Sequence, residues 1–288
     1  AIREFMVDAT LGSAGSKVVI EEYLEGEEVS ILAAVSVTPE LAAAGKARVV
    51  PFVTARDHKR LNDGAVGPNT GGMGAIAPAD GVDEAVLAAF RSDILEPTLR
   101  GLIAEGFDYR GFIFFGVMVT AKGPKLLEYN VRLGDPETQA VLPLMDFDFA
   151  RMCAAIMDGS LDSFPFAWKR GYQCAPVAVS RGYPGSYPKG LPLSIDEAAV
   201  ARLGAKVFVA GAQQDHCAGV PSGGADGLSS APAGLVTSGG RVLAASAFGK
   251  TVEEARTRAY EALGAVSFEG MFYRRDIGLP GAAVSKTM

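Results

Sequence analysis

The hydrophobic pattern of the first 168 residues predicts a β-sheet accompanied by amphipathic helices. Apolar, β-branched runs typical of strands occur at 17–20, 28–37, 48–54, 111–120 and 125–131. Gly26 separates the first two runs and an Ala-Lys-Gly-Pro turn joins the last two, so each pair is predicted to form a hairpin. Helical spacing predicts helices over 2–11, 82–105 and 147–157, the second of them bent near Pro97. Residues 56–74 are polar and glycine-rich, which predicts a long loop.

After Trp168 the pattern changes to short strands separated by glycine and proline turns. The predicted strands lie at 172–179, 205–209, 234–237 and 242–248, and a helix is predicted over 251–263. Residues 218–233 are rich in Gly, Ser, Ala and Pro and lack a hydrophobic period, which predicts a surface loop. We therefore interpret the chain as an α+β protein with two domains, residues 1–168 and 169–288.

Composition and charge argue against several classes of partner. The chain has 27 Lys and Arg residues against 33 Asp and Glu, a net charge of −6, which disfavours nucleic acid and anionic membranes. The longest apolar run, residues 111–121, is too short to span a bilayer. Cys153, Cys174 and Cys217 are widely spaced without a Cys-x-x-Cys pair, so neither a disulfide framework nor a zinc site is predicted. These features favour a cytoplasmic location.

The segment 126–138 contains the most informative polar pattern. Strict alternation along a strand places Glu128, Asn130 and Arg132 on one face. The opposite, core-facing side would then carry Leu127, Tyr129 and Val131. A carboxylate beside an amide oxygen suits Mg²⁺, and an arginine can bind phosphate or carboxylate. The same pattern is also that of the solvated face of an edge strand, and the three residues alone leave both interpretations open.

Two further segments have the composition of ligand-binding loops. Residues 67–74 follow the basic run at 56–60 and hold three glycines in four positions, so their N–H groups are predicted to converge on a phosphate or acyl phosphate. An ordinary connecting loop is the alternative, and neither Walker nor dinucleotide-binding spacing is present. Residues 18–31 run from an apolar strand into an acidic bend that could face adenine and ribose, or could be a solvated turn.

Four motifs in this order resemble the glycinamide ribonucleotide synthetase family of ATP-grasp ligases. They are Glu-Glu-Tyr-Leu-x-Gly-Glu-Glu-Val-Ser, Asp-His-Lys-Arg, Gly-Pro-Asn-Thr-Gly-Gly-Met-Gly-Ala and Glu-Tyr-Asn-Val-Arg-x-Gly-Asp-Pro-Glu-Thr-Gln. The resemblance continues through residues 181–185, 239–243 and 273–278, and so covers nearly the whole chain. It implies a partial ATP-grasp fold in residues 1–168, followed by a smaller α+β domain.

The resemblance also implies an activity and its cofactors. Members of this family join glycine to 5-phosphoribosylamine through glycyl phosphate and cleave ATP to ADP and phosphate. They require Mg²⁺ or Mn²⁺. Fusion to, or association with, other purine-pathway domains is a further expectation. Another ATP-grasp carboxylate-amine ligase or carboxylase is an alternative that the Asp-His-Lys-Arg motif and residues 69–74 disfavour, and a non-catalytic nucleotide-binding scaffold is a second alternative.

Site residues follow from the resemblance by position. The metal ligands would be Glu128 and Asn130, and the catalytic residues Arg132 and Asp57. The residues expected to bind the nucleotide are Glu21, Glu22, Tyr23, Leu24 and Glu28. The residues expected to bind substrate are Asp57, Lys59, Asn69, Thr70, Gly71, Gly72, Gly74, Arg132, Asp135, Pro136, Glu137 and Thr138. Met118 occupies the position where many ATP-grasp enzymes carry another metal-binding acid.

Other expectations concern the chain ends and the histidines. Family members begin with a substrate domain and a phosphate-binding lysine, neither of which precedes Ile2, so little ligase activity is expected from this chain alone. His58 has two alternative roles, as a general base or as a positioning or solvated residue. His216 beside Cys217 is interpreted as loop surface rather than a metal site.

Overall fold

The computed structural model describes residues 2–10, 12–215 and 234–281. Its strands are β1 (Glu27–Val37), β2 (Arg48–Asp57), β3 (Arg60–Asn62), β4 (Val66–Asn69), β5 (Gly74–Ala77), β6 (Tyr109–Thr120), β7 (Gly123–Asn130), β8 (Tyr172–Val179), β9 (Pro192–Ile195), β10 (Lys206–Val209), β11 (Ala212–Gln214), β12 (Leu235–Thr237), β13 (Arg241–Gly249) and β14 (Val266–Phe268). Its α-helices are α1 (Ile2–Met6), α2 (Pro39–Ala43), α3 (Glu84–Phe90), α4 (Glu96–Ala104), α5 (Glu137–Val141), α6 (Phe149–Asp158), α7 (Glu197–Arg202) and α8 (Val252–Gly264).

Eight strands form one antiparallel sheet that runs through both halves of the chain. Their order is β10-β13-β8-β5-β2-β1-β6-β7, which makes β7 an edge strand. The two halves join where β5 pairs with β8, with Gly74 opposite Pro176. A four-stranded sheet, β11-β12-β9-β14, and the hairpin β3-β4 complete the strand pairing.

Side chains of β1 alternate between two hydrophobic clusters, one on each face of the large sheet. Val29 and Ile31 belong to the cluster that contains Phe90 of α3. Leu32 belongs to the cluster that contains Met152 of α6. This alternation is the period of two expected for a strand, and β1 is buried on both sides. We call the two sides of the sheet the α3 face and the α6 face.

The helix expected over 82–105 consists of α3, a π-helical turn at Arg91–Leu95, and α4. Asp83 caps α3, because its side chain accepts a hydrogen bond from the Val86 N–H. The Glu96 N–H donates to the Arg91 carbonyl directly before Pro97, which has no N–H to donate. The irregularity predicted near Pro97 therefore lies in the turn that precedes it.

Two secondary-structure predictions in the first half, a strand at 17–20 and a long loop at 56–74, are wrong. Residues 17–20 form no strand, and Val19 and Ile20 are 82% and 76% exposed. A preference for β structure does not make a strand without a neighbour to pair with, so the hairpin expected with β1 is absent from the described chain. Residues 56–74 are also not one long loop, because β2 extends to Asp57 and the hairpin β3-β4 follows.

Most other predicted elements are confirmed close to their expected positions. These are the paired strands β6-β7, the strands β1, β2, β8, β10, β12 and β13, and the helices α6 and α8. Cys153 and Cys174 are free thiols. The loop predicted at 218–233, His216 and Cys217 lie outside the described residues. Within the described residues, no helix combines the length and apolar character needed to cross a membrane.

Candidate active site

A row of three paired residues crosses the α6 face of the sheet. Ser30 of β1 pairs with Gly116 of β6, and Gly116 pairs with Glu128 of β7. Residues that are directly opposite in an antiparallel sheet project to the same face. A β-carbon on Gly116 would lie 3.0 Å from Cγ of Glu128, so glycine at this position gives the Glu128 side chain room to lie over β6.

Glu128 and Asn130 lie side by side at the end of β7. The Asn130 amide donates from Nδ2 to Oε1 of Glu128 at 3.1 Å. The strand ends at Asn130, whereas the sequence pattern extended it to Val131. Arg132 therefore lies beyond the strand, and its Nη1 donates to the carbonyl of its neighbour Leu133 at 2.9 Å. The structure brings the first two residues of the predicted triplet together and places the third just past them.

The opposite side of β7 departs from strict alternation. The register shifts between the Gly116 and Val117 pairings, so that Leu126 and Glu128 oppose adjacent residues of β6. This bulge directs Leu126, rather than Leu127, to the hydrophobic cluster on the α3 face. Tyr129 packs edge-on against Phe115 in that cluster, and its hydroxyl lies 2.7 Å from the Thr98 hydroxyl. Val131 is 75% exposed, so its predicted core position is wrong.

Charged residues from neighbouring strands extend the polar row on the α6 face. Glu28 lies two residues before Ser30 on β1, and Asp57 ends β2 two residues after Ala55, the partner of Ser30. Lys59 forms an ion pair with Glu28 through Nζ and Oε1. Burial acts to lower the pKa of Lys59, but its hydrogen bond to Glu28 and that residue's charge raise the pKa overall. Lys59 therefore stays a cation in this site.

Asp57 is the most perturbed acid of the site. Its Oδ1 is buried and has no hydrogen-bond partner among the described residues. Burial, and then the negative charge of Glu137, raise the pKa of Asp57 well above its ordinary value. Glu137 itself is buried at the start of α5 and accepts a hydrogen bond from the Ser30 hydroxyl at 2.8 Å. Burial also raises the pKa of Glu137. Ser30 was not expected from the sequence because only the sheet register brings it here.

The glycine-rich loop packs directly over Asp57. Gly72 has a φ of +115°, and a β-carbon on it would lie 2.7 Å from Oδ1 of Asp57 and 2.4 Å from Cδ of Pro136. Only glycine fits so close an approach in this backbone conformation. The turn at residues 134–138 is ordered by its own contacts, since the Thr138 hydroxyl donates to the Gly134 carbonyl. Loop and turn thus meet above the carboxylate.

Four N–H groups of the loop have partners within the protein. They donate from Thr70 to the Lys59 carbonyl at 2.8 Å, from Gly71 to the Tyr183 hydroxyl at 2.9 Å, from Gly72 to the Thr70 hydroxyl at 3.0 Å, and from Met73 to the His58 carbonyl at 2.9 Å. These four donors are therefore occupied within the protein, which does not support the predicted convergence of loop N–H groups on an anion. The glycines instead allow the loop to approach Asp57 and Pro136.

Arg241 connects the loop to the turn from the second half of the chain. Its Nη1 donates to the carbonyls of Gly71 at 2.6 Å and Asp135 at 2.8 Å. Its Nη2 lies 3.1 Å from Oδ2 of Asp135. Arg241 and Tyr183 were not assigned to the site from the sequence, where they appear only within glycine-rich segments. Gly71 and Arg241 are 170 positions apart, so only the fold brings them together.

His58 is a structural residue rather than a general base. Its ring is buried, with Nδ1 3.1 Å from the Gly74 carbonyl and Nε2 accepting from the Gly278 N–H at 3.2 Å. Burial, and then the charge of Arg274, lower the pKa of His58 to about 3. A neutral imidazole with Nδ1–H as donor satisfies both contacts. Of the two alternatives, positioning is the one that this geometry favours.

The segment predicted to bind adenine lines a separate cavity. Glu22, Tyr23 and Leu24 border a space of about 420 Å³ that Thr120 and Lys125 of the β6-β7 hairpin also line. Glu21 is exposed just before it. The segment belongs to no strand, and Tyr23 is 76% exposed.

The donor set at the end of β7 suits a magnesium ion shared with phosphates. In the part of the chain that is described, no three His, Cys, Asp or Glu side chains converge as an independent metal site. Mg²⁺ is commonly held by one or two protein oxygens while phosphates and waters supply the others. One carboxylate beside one amide oxygen fits that chemistry, whereas a closed structural metal centre would require more ligands.

Two family models match the chain. The model of the phosphoribosylglycinamide synthetase ATP-grasp (A) domain matches residues 1–138, and that of the phosphoribosylglycinamide synthetase C domain matches residues 173–280. The chain belongs to the phosphoribosylglycinamide synthetase family. The family assignment confirms the resemblance seen in the four motifs.

Relatives and solved structures agree with this phosphoribosylglycinamide synthetase assignment. The phosphoribosylamine-glycine ligase of Clostridium acetobutylicum is 49% identical over 278 residues, covering 96% of this chain and 60% of that protein. A bifunctional purine biosynthetic protein of Schizosaccharomyces pombe is 42% identical over 277 residues, covering 96% of this chain and 32% of that protein. The chain thus spans about 60% of the length of its bacterial relatives.

Structural similarity confirms the ATP-grasp fold of the chain. The crystal structure of phosphoribosylamine-glycine ligase from Thermotoga maritima matches with a TM-score of 0.72 and 35% identity, covering 89% of this chain and 57% of that one. Biotin carboxylase from Campylobacter jejuni matches with a TM-score of 0.53 and 14% identity, covering 90% and 50%. The second similarity concerns the fold alone.

Proposed function

We propose that this chain carries the nucleotide site and the acyl-activating site of a phosphoribosylamine-glycine ligase. The reaction joins glycine to 5-phosphoribosylamine and yields glycinamide ribonucleotide, ADP and phosphate. The observation that carries the proposal is the convergence of Glu128 and Asn130 with Asp57, Lys59 and Glu137 on one face of the sheet. The activity named for the relatives supports the same assignment.

The chemistry requires activation of a carboxylate. A carboxylate oxygen of glycine attacks the γ-phosphorus of ATP, the bond to the β-phosphate oxygen breaks, and ADP leaves. The amine nitrogen of phosphoribosylamine then attacks the acyl carbon of glycyl phosphate, the bond to the phosphate oxygen breaks, and the amine loses a proton. Negative charge builds up on phosphate oxygens in both steps, so positioning and electrostatic stabilisation dominate catalysis.

Glu128 and Asn130 would hold Mg²⁺ or Mn²⁺ against the nucleotide phosphates. The ion would supply charge neutralisation and would orient the transferring phosphoryl group. Arg132, which lies just beyond the strand, would contact phosphate or the glycine carboxylate. Glu22 to Leu24 would line the adenine pocket with Glu21 beside them. Glu28, which is expected to bind the nucleotide, would have to share its carboxylate with Lys59.

Asp57 fits a substrate amine. Its buried Oδ1 lacks a donor among the described residues, and an N–H of an incoming ammonium or amine would satisfy it. Such a cation would also offset the repulsion between Asp57 and Glu137. Asp57 would thus orient an amine and accept its proton, while residues 69–74 and 135–138 enclose the substrates. The positive charge of Lys59 acts on both of these acids and partly offsets the rise in their pKa.

The cellular setting is part of the proposal. A cytoplasmic location fits a purine-biosynthesis ligase. Fusion to, or association with, other purine-pathway domains fits the bifunctional relative from Schizosaccharomyces pombe. We propose that residue 168 marks the division between the ATP-grasp and C-terminal domains, consistent with the two ranges matched by family models.

The test is ADP release coupled to a spectroscopic assay, using the complete polypeptide that the open reading frame encodes. We expect ADP release that requires glycine, phosphoribosylamine and Mg²⁺ together, and a drop of at least about 10-fold in Glu128→Gln. Glu96→Gln, in an exposed ion pair with Arg100 on α4, is the control and should keep full activity. Release with another carboxylate instead of glycine would identify a different ligase. Nucleotide binding without release would identify a scaffold.

A further inference from the structure

We propose that Arg241 is a positioning residue. It holds the glycine-rich loop (residues 67–74) and the turn at residues 134–138 in place over Asp57. The proposal rests on the proposed ligase function. It assigns a role at the site to the segment 239–243, which belongs to the second half of the chain and starts strand β13.

The guanidinium of Arg241 makes three contacts with two separate segments. It donates to the Gly71 carbonyl in the loop and to the Asp135 carbonyl in the turn, at 2.6 and 2.8 Å. It also pairs with the Asp135 carboxylate at 3.1 Å. The Arg241 side chain is only 23% exposed, so these contacts are less screened than those of a surface ion pair.

The two segments that Arg241 joins are the ones that meet above Asp57. Gly72 follows Gly71 and lies against Asp57, while Pro136 follows Asp135 and lies against Gly72. Both backbone polar groups of Gly71 are hydrogen-bonded, because its N–H donates to the Tyr183 hydroxyl and its carbonyl accepts from Arg241. Loss of the guanidinium would therefore release both walls of the substrate site while leaving the cavity beside Glu22 to Leu24 unchanged.

A lysine cannot reproduce this arrangement. The guanidinium is a planar fork whose separate N–H groups can serve several acceptors at fixed angles, whereas an ammonium is a single point of charge. Arg241→Lys should therefore keep the ion pair with the Asp135 carboxylate and so hold the loop and the turn only in part. Arg241→Met keeps the length of the side chain and removes every donor.

The first test is steady-state kinetics with the complete encoded polypeptide. We expect Arg241→Met to lower kcat/KM for glycine by 10-fold to 100-fold while the Kd for Mg-ADP changes less than 2-fold, as order-of-magnitude expectations. Arg241→Lys should be intermediate, and added guanidinium ion should partly restore an Arg241→Ala variant. The control is Arg258→Met, since Arg258 also donates to a carbonyl and pairs with a carboxylate, but on α8. Two results would overturn the proposal. One is an equal loss in kcat/KM for glycine and in affinity for Mg-ADP, and the other is a loss in kcat/KM for glycine no larger than that of Arg258→Met.

The second test separates this proposal from the proposed function. Hydrogen exchange measured on this chain should show faster exchange in residues 69–75 and 134–139 of Arg241→Met and Arg241→Lys, and unchanged exchange in β1. Unchanged exchange in both segments would overturn the positioning role. If exchange is faster but the complete unsubstituted polypeptide releases no ADP with glycine, phosphoribosylamine and Mg²⁺ together, the ligase assignment is refuted while the structural link is supported.

Discussion

The Asn130 amide donates to the Glu128 carboxylate at 3.1 Å, and both side chains lie on the α6 face at the end of β7. Gly116 and Ser30 continue the same row across the sheet, and the Ser30 hydroxyl donates a hydrogen bond to the buried Glu137. The pair proposed to bind the metal ion and the buried pair of acids, Asp57 and Glu137, therefore lie on one face of the sheet. This arrangement makes separate predictions for metal binding, acidity and loop packing.

Asn130→Asp should make the stability of the chain depend on Mg²⁺. The substitution removes the donor to Glu128 and places two carboxylates side by side, which repel each other without a cation. We expect a lower Tm than that of the parent in chelator and a larger rise in Tm on addition of Mg²⁺. Asn130→Ala is the control, because it removes the hydrogen bond without adding charge. An equal response to Mg²⁺ in both variants would show that the ion does not bind between these residues.

Asp57→Asn should stabilise the chain at neutral pH and abolish ligation. The folded pKa of Asp57 is raised above its ordinary value of 3.8, so the folded chain holds this proton more tightly than the unfolded chain. The contribution of Asp57 to the free energy of unfolding therefore falls as pH rises above 3.8. We expect the variant to gain about 1 kcal/mol at pH 7, an advantage that disappears near pH 4. Urea unfolding at the two pH values measures this, and an unchanged or reduced stability at pH 7 would contradict the raised pKa that burial and the charge of Glu137 give Asp57.

His58→Gln should lower stability most at neutral pH. The variant loses hydrogen bonds to the Gly74 carbonyl and the Gly278 N–H, at a cost of about 1–3 kcal/mol. The parent's own stability should fall as pH decreases from 6.5 towards about 3, because the unfolded imidazole gains a proton that the folded one does not. The gap in unfolding free energy between parent and variant should thus narrow between pH 7 and pH 4. A constant gap would mean that His58 is not a buried neutral group.

Gly72→Ala should damage the substrate site more than the nucleotide site. The new methyl group would lie 2.4 Å from Pro136 Cδ, so the loop and the turn would have to separate. We expect a rise of at least about 10-fold in the KM for glycine, with Mg-ADP affinity within about 2-fold of the parent. Gly45→Ala is a matched control, since Gly45 also has a positive φ, +68°, but faces nothing within 4 Å. Similar glycine KM values in both variants would show that the loop packing does not matter for binding.

The local patterns of the sequence predicted much of this site. Alternation correctly placed Glu128 and Asn130 together because both lie on a regular part of β7. It failed for Leu127, where a bulge changes the face, and for Arg132, which follows the end of the strand. A bulge and a strand end depend on pairing with β6, which the composition of β7 does not reveal.

Long-range relationships explain the remaining failures. Residues 17–20 have a strand-like composition but no paired neighbour in the described structure, so their exposed apolar side chains could not be anticipated. Ser30 meets Glu137 across 107 positions, and Arg241 meets Gly71 across 170. Contacts at such separations are set by the order of strands in the sheet, which follows from packing of the whole chain.

Calorimetric titration of this chain with ADP, in the presence and absence of Mg²⁺, tests the central claim most directly. The account predicts Mg²⁺-dependent binding that weakens at least about 10-fold, or about 1.4 kcal/mol, in Glu128→Gln and stays unchanged in Glu96→Gln. Binding of Mg-ADP with equal affinity to the parent and to Glu128→Gln would contradict a metal-nucleotide site at the end of β7.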